Sequence, residues 1–339
     1  MKKQIDILFI TNLPSFYKIN LFNSIAKQKN IFVIFTHDQN SQRNEDFYNG
    51  LREFSYVSLA KKMFLGKIFY LIYLLFTSNC KSLIVGGWDQ LLFWFAIAIS
   101  PKEKNGVLVE SSILESKVTG FMSRFKTIFL SRIYKAYVSG KSQADLCIKL
   151  GFKGQLIKTN GVGIFNVMPQ PEYSSISIVK NFIYVGRLSP EKNIKLLIEI
   201  FNMLPELTLN IVGFGPQDIF LKSIAKKNIV FHGAIPNSEL YKIYLQNDVF
   251  ILPSISEPWG MVIEEAFNSG LPVIVSDRVG CAEEIVNSSN GIIFKLSEPD
   301  SLKEAIIKIQ EINYYNSLKL SISKMDFKKT SQQQINSYL

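Results

Sequence analysis

The chain has 339 residues, 47% of them hydrophobic and 19% charged, which is enough apolar material for two full cores and excludes wholesale disorder. Its three cysteines, Cys80, Cys147 and Cys281, are widely spaced and odd in number, which fits neither a disulfide framework nor a cysteine metal site and points to a reducing cytoplasm. The net charge of +10 is uneven, with 22 Lys/Arg against 10 Asp/Glu in residues 1–170 and 16 against 18 in residues 171–339, so the first half is where nucleic acid or an anionic membrane would be met.

After Met1-Lys2-Lys3 the apolar run is short and is broken by Asp6, so no secretory leader is expected. Apolar runs at Ile5–Ile10, Ile31–Phe35, Leu83–Val85, Val107–Val109 and Ala136–Val138 predict strands. Helices are predicted between them at Lys18–Gln28, Met63–Phe76, Gln90–Ile99, Met122–Tyr134 and Ser142–Leu150. The longest apolar stretches, Ile68–Phe76 and Leu91–Ile99, are about half the ~20 residues of a spanning helix. Phe165–Ser177, with two prolines and three serines, reads as a linker.

The alternation then resumes. Strands are predicted at Asn181–Val185, Thr208–Val212, Ile229–Phe231, Val249–Leu252, Val273–Val275 and Gly291–Phe294, with helices at Ile194–Met203, Gln217–Ala225, Asn237–Leu245, Met261–Ser269 and Ser301–Ile309. Two such series imply an α/β chain of two doubly wound parallel-sheet domains, over residues 1–165 and 178–319. The polar tail is either a last helix, with residues 320–339 packed on the first domain, or a frayed end.

The chemistry gathers at the strand ends of the second series. Glu257 and Glu265 stand eight positions apart, the first in the loop after Val249–Leu252 and the second about two turns on, inside a helix. Such loops are where open α/β sheets bind ligands, and paired carboxylates accept hydrogen bonds from hydroxyl-rich molecules. Pro258 and Gly260 leave the following helix start, Met261 and Val262, open to a phosphate. Gly186-Arg187-Leu188 with Glu191-Lys192 places two cations on another strand end, where they suit two phosphate groups; either one alone is an ordinary surface residue. Gly213-Phe214-Gly215-Pro216, Phe231-His232-Gly233 and Pro253-Ser254 close further strands.

This combination resembles the retaining glycosyltransferases of the GT-B fold, specifically glycosyltransferase family 4, across nearly all of residues 180–295. The match continues through Glu264-Glu265-Ala266 and Gly270-Leu271-Pro272-Val273-Ile274. The resemblance implies two Rossmann-like domains with a deep cleft between them, the second binding a nucleoside-diphosphate sugar. It implies that Arg187 and Lys192 hold the donor diphosphate, that Glu257 contacts the donor sugar, and that Glu265 binds the ribose hydroxyls. Gly186, Gly213, His232, Pro253, Ser254, Trp259, Gly260, Met261 and Val262 complete the expected donor site, although a satisfied structural role for His232 stands beside that reading. No Asp-x-Asp occurs, so no metal or other cofactor is expected and the two cations take the metal's part.

The first domain matches less fully. Thr11 to Phe22 resembles the family's first strand-end loop and helix, but Leu13-Pro14-Ser15 replaces the common Gly-Gly pair. Pro14, Ser15, Phe16, Gly87, Trp88 and Glu110 are the expected acceptor-side residues. Glu110 either binds an acceptor hydroxyl and assists its deprotonation, which would make it catalytic beside Glu257, Arg187 and Lys192, or is an ordinary polar strand end. Ser116–Ala144 carries Lys117, Arg124, Lys126, Arg132, Lys135 and Lys141 with no acid, interleaved with Phe121, Phe125, Phe129, Tyr134 and Tyr137. Phe54–Trp88 also lacks an acid, while Lys61, Lys62, Lys67 and Lys81 flank its apolar core. Such stretches suit attachment to an anionic membrane surface, although a buried helix with solvated flanks explains Met63–Phe76 equally.

The expected activity is transfer of a hexose-type sugar to a glycan or polyprenol-linked acceptor in bacterial surface polysaccharide assembly, in the cytoplasm at the inner face of the membrane. A nucleotide-sugar epimerase of the same fold is the alternative enzyme, and pyridoxal-type phosphorolysis is disfavoured by length. A basic nucleic-acid-binding protein is the non-enzymatic alternative, and no nucleic-acid motif supports it.

Overall fold

The computed structural model describes residues 3–39 and 44–339; Met1 and Lys2, where the expectation of no leader begins, lie outside the described residues. The chain divides into two compact units, Met1–Phe165 with Lys329–Leu339, and Asn166–Lys328.

In the first unit the chain runs β1 (Lys3–Thr11), α1 (Phe16–Ala26), β2 (Ile31–Phe35), β3 (Ser55–Ser58), α2 (Phe64–Thr77), β4 (Ser78–Val85) and α3 (Leu91–Ile99). It continues through β5 (Asn105–Val109), α4 (Phe121–Ser131), β6 (Lys135–Val138), α5 (Lys141–Lys149) and β7 (Gln155–Lys158). The seven strands form one sheet in the order β3-β2-β1-β4-β5-β6-β7, every pair parallel. Helices cover both faces, which is why the inner strands are continuous apolar runs rather than alternating ones. On one face Leu71 and Leu74 of α2, Phe93 and Ala96 of α3, Phe129 of α4 and Leu146 of α5 share a core with Leu83 and Val107. Ile19 and Phe22 of α1 pack on the other face with Phe9, Val33 and Phe35.

The second unit begins with β8 (Asn181–Val185), α6 (Ile194–Phe201), β9 (Thr208–Val212), α7 (Asp218–Ile224), β10 (Ile229–Gly233), α8 (Asn237–Tyr244) and β11 (Val249–Leu252). It ends with α9 (Val262–Asn268), β12 (Val273–Ser276), α10 (Ala282–Ile285), β13 (Gly291–Phe294), α11 (Ser301–Ile309) and α12 (Ile312–Ile322). Its six strands are also parallel, in the order β10-β9-β8-β11-β12-β13. The helical period is plain in α6, where Ile194, Leu197, Ile198 and Phe201 are buried while Lys195 and Glu199 pair outside at 3.6 Å. A last helix, α13 (Phe327–Asn336), leads Ile335 and Tyr338 onto the α1 face of the first sheet, where the Tyr338 ring stacks on Tyr137 at 4.9 Å.

Two glycines are fixed by backbone packing at strand ends. A Cβ on Gly213, whose φ is +137°, would stand 1.8 Å from the Gly186 carbonyl oxygen, and one on Gly280 would stand 1.8 Å from that of Pro258. Gly213 therefore lets the β8 and β9 loops touch, and Gly280 does the same for the β11 and β12 loops. Gly213→Ala and Gly280→Ala should each destabilise the second unit by about 1–3 kcal/mol, seen as a lower urea midpoint in its unfolding transition; an unchanged midpoint would show that these loops give way freely.

Candidate functional site

In the second sheet the winding direction reverses between β8 and β11, and an open α/β sheet leaves its crevice at the carboxyl ends of that pair. The loops after these two strands carry Arg187, Lys192 and Glu257. The Lys192 ammonium is ion-paired with the Glu257 carboxylate, both side chains mostly buried. Backbone bonds reinforce the join: the Ile255 N–H donates to the Glu191 carbonyl at 2.9 Å, and the Asn193 amide donates to the Pro253 carbonyl at 3.3 Å. Asn193 supplies the left-handed residue, φ +56°, that turns the chain into α6.

Arg187 meets Glu191 at 3.1 Å, and the Ser189 hydroxyl donates to the same Glu191 oxygen at 2.6 Å. Burial works against ionisation of Glu191, but Ser189, its own backbone and the charges of Arg187 and Lys192 together hold its carboxyl below the usual range. Each expected phosphate-binding cation thus has a carboxylate partner, which the sequence reading did not anticipate. Glu191 and Ser189 lie within Gly186–Lys192, and their spacing to Arg187 is the only local trace of this pairing.

Glu257 is gripped by the loop after β12, which carries no recognisable motif. It forms a parallel bridge with Val279, its N–H donates to the Arg278 carbonyl at 3.3 Å, and its carbonyl accepts from Gly280 at 2.8 Å. The Cys281 N–H donates to the Trp259 carbonyl at 3.0 Å. Trp259 is buried, and its indole N–H donates to Glu264 Oε2 at 3.1 Å. Gly260, at φ +100°, makes the turn into α9; a Cβ there would lie 2.9 Å from Val279.

Glu264 and Glu265 diverge on α9. Glu264 points inward to Trp259, whereas Glu265 is partly exposed and lies 3.4 Å from the hydroxyl of the buried Tyr244. Burial pushes both carboxyls up to about 7, against the hydrogen bonds from Trp259 and Tyr244 respectively. Met261 and Val262 form the half-buried start of the helix, and Ser254 is fully buried in the β11 loop. Gly186 holds its backbone above the Tyr184 hydroxyl, which donates to the Arg187 carbonyl at 2.8 Å. His232 is exposed and pairs with Asn210 at 2.8 Å, and Asn210 bonds Asn247, so its bonds run along the β9–β10 side rather than to the Lys192–Glu257 pair.

The residues expected on the first unit have mixed placements. Pro14, Ser15 and Phe16 are buried and turn the chain into α1, with Phe16 edge-on to Phe47 at 5.5 Å. Trp88 packs beside Phe129, and its carbonyl accepts from the Trp94 indole at 2.9 Å. Gly87 and the partly exposed Glu110 sit at the ends of β4 and β5. Among the described residues, no group of three or more His, Cys, Asp or Glu side chains converges as a metal site.

Residues 177–326 match the family model of glycosyl transferases group 1. Sulfoquinovosyl transferase SQD2 of Arabidopsis thaliana is 33% identical over 131 residues, which is 38% of this chain and 26% of that protein. The O-antigen biosynthesis glycosyltransferase WbnH of Escherichia coli is 30% identical over 189 residues, 52% of this chain and 53% of its own length. The matches therefore span about half or less of these curated relatives. The crystal structure of Anabaena Alr3699/HepE in complex with UDP and glucose aligns with a TM-score of 0.70 over 97% of this chain and 98% of that one, at 16% identity. Likeness at that identity shows the shared fold, GT-B.

The raised carboxyls have a measurable consequence. A group whose folded pKa lies above its unfolded value holds its proton in the native state while the unfolded chain releases it. From the ordinary carboxylate range up to about 7, native stability should therefore fall as pH rises. Glu264→Gln should remove a drop of roughly 1–3 kcal/mol across that window, measured by urea unfolding at about pH 5 and about pH 8; an unchanged slope would show that Glu264 titrates normally.

Proposed function

We propose that this chain, a member of the glycosyl transferases group 1 family through residues 177–326, is a retaining, metal-independent glycosyltransferase. It moves a hexose-type sugar from a nucleoside diphosphate to a glycan or polyprenol-linked acceptor in bacterial surface polysaccharide assembly. The observation that carries the reading is the pairing of Lys192 with Glu257 beside the Arg187–Glu191 pair, at the point where the second sheet reverses. The relative WbnH is named for O-antigen biosynthesis, and the similar HepE structure holds UDP and glucose.

Chemistry follows from the charges. As the sugar departs, negative charge grows on the diphosphate, and cations already fixed in place stabilise that state without reorganising. Glu191 and Glu257 hold Arg187 and Lys192 in position before the donor arrives. Glu257 then accepts hydrogen bonds from the sugar, and Glu265 from the ribose; hydroxyl donors favour the ionised carboxylate, so donor binding draws Glu265 out of its protonated form. The acceptor hydroxyl attacks on the face the diphosphate leaves: the new C–O bond forms as the bond to the diphosphate breaks, the hydroxyl proton passes to a departing phosphate oxygen, and configuration is retained without a protein nucleophile.

The acceptor reading carries a membrane with it. Helices α2, α3 and α4 lie on one face of the first sheet, and their outer sides expose Phe64, Leu65, Phe69, Tyr73 and Phe76 on α2 and Phe121, Met122 and Ile128 on α4. Phe69 is 69% exposed and Phe121 71%, among lysines and arginines that favour anionic headgroups. Among the described residues no helix is long and apolar enough to cross a membrane. Several of the basic residues have other work: the Arg132 guanidinium donates to the Ile97, Ala98 and Ser100 carbonyls at the end of α3, and Lys126 lies over the Trp88 ring at 5.4 Å. Lys67 donates to the Thr36 carbonyl at 2.9 Å, and Lys81 pairs with Asp6 at 2.7 Å. Arg132 thus caps the carboxyl end of α3 through one guanidinium nitrogen.

Arg187→Ala and Lys192→Ala should each lower turnover by about 10²–10³, and wild-type rates should survive a chelator. Near-normal turnover in both variants, or a strict divalent-metal requirement, would contradict the cation roles. Phe69→Ser with Phe121→Ser should abolish co-sedimentation with phosphatidylglycerol vesicles while the fold, followed by circular dichroism, is kept; binding retained by the double variant would reject this face as the membrane contact.

A further inference from the structure

The mechanism above leaves one buried acid of the second unit without work. Helix α9 turns Ile263, Ala266 and Phe267 into the core, each no more than 2% exposed, and Glu264 stands among them at 7%. A carboxyl in that position gives up its hydration, a cost that an apolar side chain would not carry. What offsets the cost is the hydrogen bond to Trp259, whose indole N–H donates to Glu264 Oε2 at 3.1 Å. Trp259 is itself only 3% exposed, and an indole carries a single N–H. With that N–H committed to Glu264, the Trp259 side chain offers a ligand neither an open face nor a donor. The two residues depend on each other, since a buried N–H deprived of its acceptor costs more than the bond gains.

The pair reaches Glu257 through the turn Pro258-Trp259-Gly260. Gly260 lies directly against the Glu257 side chain, because a Cβ on it would stand 3.4 Å from Glu257 Cγ. At φ +100° that glycine has no side chain of its own to hold the turn. Trp259 holds it instead, at two points. On one side the Trp259 carbonyl accepts the Cys281 N–H at 3.0 Å, beside the bond from the Gly280 N–H to the Glu257 carbonyl at 2.8 Å. These bonds fix the backbone to the loop after β12. On the other side the indole bond to Glu264 ties the same residue to α9. Two anchors thus reach one peptide from different elements, and the direction of the Glu257 carboxylate toward Lys192 follows from both.

We propose that Glu264 is a positioning residue of the donor site: by accepting the Trp259 indole N–H, it fixes the Trp259–Gly260 peptide against which the Glu257 side chain rests, and so sets where Glu257 meets the sugar. The proposal rests on the reading of Glu257 as the donor-sugar contact, and it adds Glu264, which that reading did not include. Glu264 acts through Trp259 and touches no substrate.

Hydrogen–deuterium exchange on the full chain reads the geometry, and melting temperatures read the sugar. Glu264→Met removes the acceptor at similar volume and should speed exchange over residues 257–260 and 279–281 by about tenfold or more. Glu264→Gln keeps an acceptor and should match the wild type. Trp259→Phe removes the donor instead and should repeat the Glu264→Met result, so the outcome does not hang on one variant folding. Melting shifts are then compared for UDP-glucose, GDP-mannose and ADP-glucose, each beside its free diphosphate. Glu264→Met should lose about half or more of the extra shift that the sugar adds, while keeping the shift of the diphosphate. Glu264→Gln should keep both. Unchanged exchange in Glu264→Met and Trp259→Phe, or faster exchange with the sugar's extra shift intact, would overturn the positioning role. If no nucleotide, or no sugar, shifted the wild-type melting, the donor reading would fall, and the exchange contrast alone would decide whether Glu264 holds Glu257.

Discussion

The ion pair between Lys192 and Glu257 is the constraint from which the second unit's chemistry follows. It joins the loops after β8 and β11, the two strands at which the sheet changes winding direction. A mostly buried pair of this kind is a weak source of net stability, since both ions give up hydration. Removing one partner is far worse than replacing both, because an unmatched charge stays behind. Its value is positional. On the proposed donor reading, the lysine is aimed before any phosphate arrives, and the carboxylate before any sugar does. Around that pair, Glu191 restrains Arg187, and the strand-like segment through Val279 restrains the backbone of Glu257. Every group expected to meet the donor's charge is thus held by a neighbour of opposite sign or by main-chain bonds.

Much of this architecture was legible because buried parallel strands announce themselves as unbroken apolar runs. Asn181–Val185, Thr208–Val212, Val249–Leu252 and Gly291–Phe294 occur as strands with the bounds read from their residues. Elements that escaped notice lack that signature. Ser55–Ser58 and Gln155–Lys158 are the edge strands of the first sheet, short, exposed and polar. The tail resolved into α13, whose apolar residues are too sparse to show a period clearly. At the site, the loop positions of Arg187, Lys192 and Glu257 followed from strand ends followed by glycine or proline. Their mutual pairing did not, because an ion pair between residues 65 positions apart has no local trace.

The same limit explains Arg132, Trp88 and Lys18. A basic residue in an acid-free stretch reads as a membrane contact, yet Arg132 closes the carboxyl end of α3. Trp88, at another strand end, packs edge-on to Phe129. Lys18 looked like the unremarkable start of a helix, and only its enclosure by Glu110, Thr11 and Asn12 reveals a charge kept in the interior. What a local pattern fixes is the strand-end position; which way a side chain turns from it is decided by the neighbouring loops.

The chain's path bears on how the protein is made. Polypeptide leaving the first unit at Phe165 returns to it only at Lys329, after the whole of the second unit. Tyr338 and Ile335 then close the α1 side of the first sheet. During synthesis the α1 flank of the first unit stays bare until Lys329–Leu339 emerge, after the whole of the second unit. The earlier-made half is therefore the later-finished one, and over that interval its apolar flank is open to chaperones.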